Sequence, residues 1–368
     1  MKNLLIIFGG KSAEHHVSVK SGLSIIGNIN YEDYNVDVLY STIEGRYRWL
    51  HTVSSKNDAE KLVGQFKTDT SSHVTFNLVD CVSRICRSEV VFSLLHGKNG
   101  EDGVVQGFLE LLGIAYVGSA VTSSAITMNK ILVKKILESS GVKVVPYLSF
   151  SAHDVKQHIF SEISKYLDFP LFIKPANFGS SIGVSRARKM VELEDALTQV
   201  FAIDNQVLIE KEIIGQEISV AVLENIDGSL TISPPGEIQV QSDFYNYETK
   251  YLKKGSSVFI VPAVINIADI KTLTLLTSEI FKFCECSGMA RLDYFIEKRT
   301  GILFFNEINT IPGFTNSSLY PLLFAKTPLN ISKIVANLIA VAIKNKNKKL
   351  LQYNKERTFL KKSYDIYR

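Results

Sequence analysis

The chain has 368 residues, an apolar fraction of 46%, a charged fraction of 21% and a formal net charge of +4. Its length exceeds one ordinary hydrophobic core, so two or three domains are expected. The small net charge does not argue for a nucleic-acid or membrane partner, and no apolar run approaches the roughly 20 residues that cross a bilayer. Four cysteines without zinc-site spacing predict buried thiols in a reduced, cytoplasmic protein.

Short apolar runs alternate with helical stretches in the first third of the chain. The predicted strands lie at 4–8, 36–43 and 90–95, and the predicted helices at 20–29 and 104–112. The first apolar run is too short for a signal peptide, because Gly9-Gly10 ends it, and we interpret it as a buried strand. This alternation predicts a parallel sheet with helices on both faces.

A strand-rich region follows a long helix that is predicted over 123–140. Strands are predicted at 170–174, 207–210 and 217–223, and a helix at 193–201. The polar segment 239–255 predicts a long loop, and such loops are often lids. A helix over 267–286, a hairpin of strands 289–297 and 302–309, and a helix over 328–343 complete the pattern. The basic tail after Lys344 lacks an apolar period and is predicted to be frayed or peripheral.

Lys174 ends an apolar strand and precedes a Gly/Ser-rich loop at 177–183. Such a loop presents backbone N–H groups and hydroxyls to phosphate oxygens, and the lysine adds charge. A plain strand–turn–strand explains this segment equally well by itself. Gly10-Lys11-Ser12 is not a P-loop, because Leu5 occupies the position that requires glycine, and no GxGxxG motif follows the first strand.

Four polar side chains occupy the two strands of the predicted hairpin. Arg291 and Asp293 lie two residues apart and share a face of one strand, whereas Glu307 and Asn309 share a face of the next. If Asp293 lies opposite Glu307, three oxygen-bearing side chains converge, which suits Mg²⁺ held jointly with nucleotide phosphates. A slip of one residue would separate them, and an exposed salt-bridged face is the alternative.

Two glycine-rich segments follow strands in the first third. In HGKNGEDG, residues 96–103, three glycines allow the backbone to approach a ligand closely. Glu101 and Asp102 could cap the next helix or belong to a site. The segment 9–14 leaves the first strand just before a helix, where ligands of such sheets bind. Its Glu14 is a candidate ligand residue or a helix-start acid.

These motifs, in this order, resemble the D-alanine–D-alanine ligase family of the ATP-grasp superfamily. HGxxGEDG at 96–103, GSSxG at 179–183 and NExNTxPGFT at 306–315 are the most specific of the matching segments. The resemblance implies an α/β, three-domain ATP-grasp fold, in which an amino-terminal parallel-sheet domain precedes two α+β lobes that enclose ATP. The implied divisions are a substrate-binding domain at 1–120, a central lobe at 121–212, a carboxy-terminal lobe with metal site and lid loop at 213–345, and a basic tail at 346–368.

The resemblance also implies roles for individual residues. The residues implied to bind ATP are Lys130, Lys174, Ser180, Ser181, Glu210, Lys211, Ile213 and Glu217. The residues implied to bind two Mg²⁺ ions, for which Mn²⁺ can substitute, are Asp293, Glu307 and Asn309. Glu14 would hold the ammonium of a first D-alanine, Arg291 would stabilise the acyl phosphate and tetrahedral intermediate, and Ser318 would meet the carboxylate of a second D-alanine. Tyr251 would link Glu14 to Ser180 and close the site.

The implied activity joins two D-alanine molecules through an acyl phosphate, with ATP as the energy source, for peptidoglycan precursor synthesis. A homodimer in a bacterial cytoplasm, without nucleic-acid or membrane partners, is expected from the resemblance. The alternative is a D-alanine–D-lactate ligase, but the lid sequence FYNYETKY at 244–251 resembles the dipeptide-forming type. Another ATP-grasp ligase would lack Glu14 or Ser317-Ser318, and a non-catalytic nucleotide-binding protein would have a broken metal set.

Two positions depart from the family pattern. His15-His16 stands where a basic residue or His followed by Glu is expected, which predicts an altered contact behind Glu14. Asn129 stands where Asp is usual, and we expect this change to affect local helix capping more than the neighbouring Lys130.

Overall fold

The computed structural model describes residues 1–50, 52–68, 74–240 and 257–366. Over these residues the chain forms three separate β-sheets with helices packed against them. The first sheet is mainly parallel and the other two are antiparallel, which agrees with the predicted α/β fold. None of the described helices is both long and apolar enough to cross a membrane.

The amino-terminal sheet is built around a strand with six consecutive buried residues. Its elements are β1 (Lys2–Gly9), α1 (His15–Ile26), β2 (Tyr34–Ser41), β3 (Tyr47–Trp49), α2 (Lys56–Thr68), α3 (Leu78–Ile85), β4 (Val90–Ser93), α4 (Val104–Leu111) and β5 (Ala115–Tyr116). The strand order is β3-β2-β1-β4-β5, and the edge strand β3 runs antiparallel to β2. Because β1 and β4 are parallel neighbours, the loops that follow them open at the same edge.

Two helices, α5 (Val121–Met128) and α6 (Lys130–Ser139), replace the single helix predicted over 123–140. The chain breaks at Asn129, whose backbone is extended and whose side-chain oxygen accepts hydrogen bonds from the N–H groups of Ile131 and Leu132. This is a side-chain N-cap. Asn129 therefore caps α6 and fixes Lys130 as its first residue.

A four-stranded antiparallel sheet forms the central lobe. Its elements are β6 (Tyr147–Ser151), α7 (Lys156–Tyr166), β7 (Leu171–Pro175), β8 (Ser185–Ala187), α8 (Met190–Phe201) and β9 (Gln206–Lys211), in the strand order β6-β9-β7-β8. The alternation of β7 buries Leu171 and Ile173 in the core formed with α7 and α8. Phe172 and Lys174 therefore point to the opposite face, which is open.

A larger antiparallel sheet carries the predicted hairpin. Its elements are β10 (Gly215–Glu224), β11 (Leu230–Ile232), β12 (Gly236–Val240), β13 (Ser257–Ile260), α9 (Ile267–Phe283), β14 (Met289–Glu297), β15 (Leu303–Asn309) and α10 (Leu319–Phe324). The order is β13-β12-β10-β14-β15, with β11 beside β10. Most of the predicted lid loop, including Tyr251, lies outside the described residues.

The last helix, α11 (Ile331–Ile366), continues far beyond the end predicted for it at residue 343. Two lysines fasten the extension to the body, since Lys344 Nζ donates to the carbonyl of Ile226 at 2.5 Å and Lys349 Nζ to Glu110 at 2.6 Å. Every side chain from 347 to 360 is exposed. The predicted helix end at residue 343 was wrong, because an exposed helix needs no apolar period. The Lys, Leu, Gln and Arg residues of the extension favour helix intrinsically.

Candidate active site

Glu14 lies where the loop after β1 meets α1, and three loops converge on its carboxylate. It is buried, at 8% exposure, and accepts a hydrogen bond from Ser180 Oγ in the loop between β7 and β8. Added Cβ atoms at Gly97 and Gly179 would lie only 2.8 and 3.1 Å from Glu14 Oε2. Gly97 also has a φ of +72°, which glycine adopts most readily. The amino-terminal sheet and central lobe therefore meet at Glu14.

Ser180 and Ser181 adopt left-handed backbone conformations, with φ of 51° and 57°. Such angles are uncommon outside glycine, and they concentrate at binding and catalytic sites because the surrounding structure must offset their cost. Ser180 faces Glu14, whereas Ser181 faces the space between the central lobe and the larger sheet. The two serines therefore line two different spaces.

Two contiguous cavities occupy these spaces. The first, of about 620 Å³, is lined by the predicted nucleotide ligands Lys130, Lys174, Ser181, Glu210, Lys211, Ile213 and Glu217. The second, of about 590 Å³, is lined by the predicted substrate and metal ligands Glu14, Ser180, Arg291, Asp293, Glu307, Asn309 and Ser318. Both volumes suit small-molecule ligands. Lys130 and Glu307 line both cavities and mark the place where they join.

The hairpin of β14 and β15 has the register that the metal hypothesis requires. Asp293 pairs with Glu307 and Arg291 with Asn309, and a bulge follows Asp293. Arg291 donates to Asp293 through Nε and a terminal nitrogen, at 3.0 and 2.8 Å. Ser219 Oγ donates to Asp293 Oδ1 at 2.6 Å. These contacts fix the buried carboxylate of Asp293 at the wall of the second cavity.

The donor set at this wall fits a hard divalent cation. Asp293 and Glu307 offer carboxylate oxygens and Asn309 an amide oxygen, which are the ligand types that Mg²⁺ prefers. Lys130 Nζ lies 4.0 Å from Glu307, and Asn309 Oδ1 accepts a hydrogen bond from the N–H of Ile311 at 3.0 Å. All three residues line the second cavity, and Glu307 lines the first as well.

Glu210 is fully engaged by two lysines. Its Oε1 lies 2.7 Å from Lys134 Nζ, and its Oε2 lies 2.5 Å from Lys174 Nζ. The side chain of Glu210 therefore contacts lysines with both oxygens, although it also lines the first cavity. Lys134 is not among the predicted site residues, yet its position four residues after Lys130 puts the two lysines on one face of α6.

Asp102 and Glu101 have different environments, which resolves the two interpretations left open from the sequence. Asp102 accepts hydrogen bonds from the N–H groups of Asn99 and Val104, so it organises the start of α4. Glu101 is buried, lines the second cavity and accepts from the N–H of Gly97 at 2.6 Å. Asp102 thus stabilises the turn just before α4, whose N-cap position is Gly103, and Glu101 belongs to the cavity.

Two buried groups beside Glu14 have displaced pKa values. Burial and the neighbouring carboxylate of Glu14 raise the pKa of Glu101 well above its usual range. Burial lowers the pKa of His96, so its ring is neutral at pH 7. His15 is also buried, with ring nitrogens 2.7 Å from the carbonyl of Gly10 and 3.1 Å from the hydroxyl of Tyr40. His15 therefore braces the loop that carries Glu14.

We expect Glu101→Gln to raise the melting temperature above about pH 7, by a few °C, and to lose this advantage toward pH 4. Folding raises the pKa of Glu101. Its favourable contribution to the free energy of unfolding is therefore complete below its pKa in the unfolded chain, and it disappears as pH rises through its pKa in the folded protein. Glutamine keeps the acceptor for Gly97 without the charge. Thermal unfolding across pH checks this, with Asp102→Asn as control. A gain independent of pH would contradict it.

Lys20 of α1 is a further cavity residue that the sequence analysis did not select. It lines the second cavity together with Arg291, Lys130 and Ser318. Arg291 is paired with Asp293, and Lys130 lies near Glu307. Within the described ranges, Lys20 makes no ion pair or hydrogen bond. Among the described lysines and arginines that line the second cavity, Lys20 is therefore the one without an ion pair. An anionic ligand group would complement its charge.

Known proteins match the chain along nearly its whole length. The family models "D-ala D-ala ligase N-terminus" and "D-ala D-ala ligase C-terminus" match residues 3–119 and 136–340. The D-alanine–D-alanine ligase of Caldicellulosiruptor bescii is 39% identical over 361 residues, covering 95% of this chain and 98% of the relative. That of Acetivibrio thermocellus is 36% identical over 374 residues, covering 96% and 99%.

Solved structures show the same similarity. The D-alanine–D-alanine ligase from Coxiella burnetii has a TM-score of 0.80 at 28% identity, over 97% of this chain and 100% of that chain. The VanG D-Ala:D-Ser ligase from Enterococcus faecalis has a TM-score of 0.78 at 32% identity, over 93% and 99%. Sequence and fold agree on one assignment, and the chain belongs to the D-alanine–D-alanine ligase family.

Proposed function

We propose that the first cavity holds ATP, that the second holds two D-alanine molecules, and that the chain joins them into D-alanyl-D-alanine. The ligase activity follows from the family, whose relatives at 36–39% identity are D-alanine–D-alanine ligases. These relatives favour the dipeptide over the D-lactate alternative. The proposal assigns the steps of the reaction to particular side chains of this chain.

The junction of the cavities carries this proposal. A phosphoryl group must pass from a nucleotide to a carboxylate, so the two ligands must meet. Lys130 and Glu307 line both cavities, and the side chains of Asp293 and Asn309 lie beside them in the second. Cationic and metal-binding groups are thus concentrated where phosphate charge would pass from one ligand to the other, which is the chief requirement of phosphoryl transfer.

In the first step, the carboxylate of one D-alanine attacks the γ-phosphorus of ATP, and ADP leaves. Glu14 holds the ammonium of this D-alanine, and Lys130 and Lys174 bind the phosphates of ATP. Asp293, Glu307 and Asn309 hold two Mg²⁺ ions, or Mn²⁺ in their place. When bound, such ions neutralise the negative charge on the phosphate oxygens.

In the second step, the neutral amine of another D-alanine attacks the acyl carbon, a C–N bond replaces the C–O bond to phosphate, and inorganic phosphate leaves with the proton that the nitrogen loses. Arg291 stabilises the negative charge of the tetrahedral intermediate, because its guanidinium is fixed by Asp293 at the cavity wall. Ser318 and Lys20 bind the carboxylate of the attacking D-alanine. Ser318 Oγ already exchanges hydrogen bonds with Thr315, so its position is set before the substrate arrives.

The remaining proposals rest on the family alone. Tyr251 is proposed to close the site over the acyl phosphate, which water would otherwise hydrolyse. The residue lies outside the described part of the chain, so this role stays a prediction. A homodimer and a bacterial cytoplasm, where the product serves peptidoglycan synthesis, are proposed on the same basis.

Phosphate release from ATP and Mg²⁺ tests the function directly. The arms contain D-alanine, L-alanine, D-alanine with D-lactate, or D-alanine with D-serine. The last arm is included because a D-Ala:D-Ser ligase is among the similar structures. Release with D-alanine alone, accompanied by dipeptide, is the expected result. Phosphate release that requires D-lactate or D-serine would mean that this compound, and not D-alanine, is the second substrate. No release in any arm would contradict the proposal.

We expect Lys20→Gln to raise the KM for the second D-alanine by roughly tenfold, because a charge-assisted contact with its carboxylate is lost. The KM for ATP and the affinity for the first D-alanine should change little. Steady-state kinetics across D-alanine concentration separate the two sites. Lys11→Gln, in the neighbouring loop and outside the cavity lining, is the control. Equal effects on both D-alanine sites would contradict the assignment.

A further inference from the structure

We infer that Lys134 is a positioning residue for ATP, which neutralises Glu210 from behind and so leaves the charge of Lys174 available to the phosphates. This inference rests on the proposed function, because it takes the first cavity to be the ATP site. Lys134 itself lines neither cavity, whereas Lys174 and Glu210 both line the first. Its effect on the nucleotide must therefore pass through Glu210.

The three side chains form a short charged chain that runs from the core to the cavity. Lys134 Nζ contacts Glu210 Oε1, and Glu210 Oε2 contacts Lys174 Nζ, at 2.7 and 2.5 Å. Side-chain exposure increases along this chain, from 1% for Lys134 and 2% for Glu210 to 14% for Lys174. Lys174 is therefore the member that can meet a ligand.

Glu210 would cancel the charge of Lys174 if the two formed an isolated pair. Burial alone would raise the pKa of Glu210, but Lys134 and Lys174 hold it below its usual range, so the carboxylate is ionised. Burial lowers the pKa of Lys134, and the carboxylate of Glu210 in contact with it opposes this shift. With Lys134 protonated, two cations share one anion and the cluster keeps one positive charge. That charge lies at the cavity end of the chain, where the phosphates of ATP would bind.

A buried ammonium is a poor choice for packing alone. The ring of Phe305 lies 5.9 Å from Lys134 Nζ, and Glu210 is the only carboxylate in contact with this nitrogen within the described ranges. Replacing a buried ion pair by apolar residues is often neutral or stabilising, so the pair is weak evidence of a structural role. An electrostatic role at the adjacent ligand site accounts for the ammonium.

Charge-matched variants separate a structural role of Lys134 from an electrostatic role at the ligand site. Lys134→Met leaves Glu210 paired with Lys174 and removes the net charge of the cluster. Lys134→Met/Glu210→Gln restores it, because Lys174 is then uncompensated. In Glu210→Gln, the buried Lys134 loses its partner and releases its proton, which again leaves one positive charge. Net charge therefore predicts that Lys134→Met weakens ADP binding in the wild type but not in the Glu210→Gln background.

Binding of ADP with Mg²⁺, measured by calorimetry, is the test. We expect Lys134→Met to raise the Kd for ADP on the order of tenfold to a hundredfold in the wild type, but to change it no more than a few-fold when it is introduced into Glu210→Gln. Inhibition by adenosine, which lacks phosphates, should change little when Lys134→Met is introduced into either background. Lys135→Met, which removes an exposed lysine from the same helix, is the matched control.

Two results would overturn the inference. One is an unchanged Kd for ADP in Lys134→Met, and the other is an equally large rise in Kd when Lys134→Met is introduced into Glu210→Gln. If Lys134→Met does not fold, the comparison of the double variant with Glu210→Gln still decides, because much weaker ADP binding by the double variant than by Glu210→Gln would also overturn the inference. Phosphate release by the wild type with D-alanine is measured separately, so a failure of the proposed function is recognised independently.

Discussion

Glu307→Gln is expected to reduce turnover by at least about a hundredfold, while the fold and the melting temperature are retained. Glu307 lies at the junction of the cavities, opposite Asp293 in the hairpin, and the two residues supply the carboxylates of the proposed metal set. The glutamine is almost isosteric but lacks the negative charge that is proposed to hold a metal ion and that lies 4.0 Å from Lys130 Nζ. Because Glu307 is 31% exposed, the change leaves no unpaired group in the core.

The matched control is Glu297→Gln, which removes a glutamate from the other end of the same hairpin, where it bonds Thr300. Phosphate release is measured over a range of Mg²⁺ and Mn²⁺ concentrations, and thermal unfolding confirms the fold. Partial recovery at high metal concentration would support a metal-binding role. Near-normal turnover of Glu307→Gln at ordinary metal concentration would remove Glu307 from the metal set.

The local parts of this site could be predicted from the sequence, because they depend on short periodicities. Strand alternation places Arg291 and Asp293 on the same face of β14, and it places Glu307 and Asn309 on the same face of β15. The pairing of these faces was conditional, since nothing in the two strands excludes a slip of one residue. The structure has the required register, with a bulge after Asp293 that local patterns do not encode.

Contacts between distant segments were beyond direct reasoning from the residues. Ser180 and Glu14 are 166 positions apart, and their contact depends on how the central lobe sits against the amino-terminal sheet. The family resemblance implied this pair, whereas composition and spacing did not. Lys20 and Lys134 were missed for a different reason. A lysine on a helix is usually solvated, and only the fold shows that one faces a cavity and the other is buried.

Segments from three separate sheets contribute residues to one cavity. Glu14 follows β1, Ser180 lies in the loop between β7 and β8, and Arg291 lies on β14, yet all three line the second cavity. A substrate held by Glu14 therefore lies within reach of groups from each part. Such convergence fixes reactants relative to one another, which is a major source of rate enhancement in a two-substrate reaction.

Arg291→Met is expected to lower kcat by about a hundredfold or more, with a smaller change in the KM for ATP and D-alanine. The guanidinium is held by Asp293 at the cavity wall. Its proposed role is to neutralise charge that develops only as the acyl phosphate and the tetrahedral intermediate form. Arg291→Lys keeps the charge but loses the two-nitrogen contact with Asp293, so it should retain an intermediate kcat.

Arg299→Met, at an exposed position in the turn of the same hairpin, controls for the loss of a cation nearby. Burst measurements of ADP and dipeptide formation separate the two chemical steps. If Arg291 acts on both, each step slows in Arg291→Met and recovers partly in Arg291→Lys. A rise in KM with kcat unchanged would instead mean that Arg291 binds substrates and transition states equally, and the stabilising role assigned to it would be wrong.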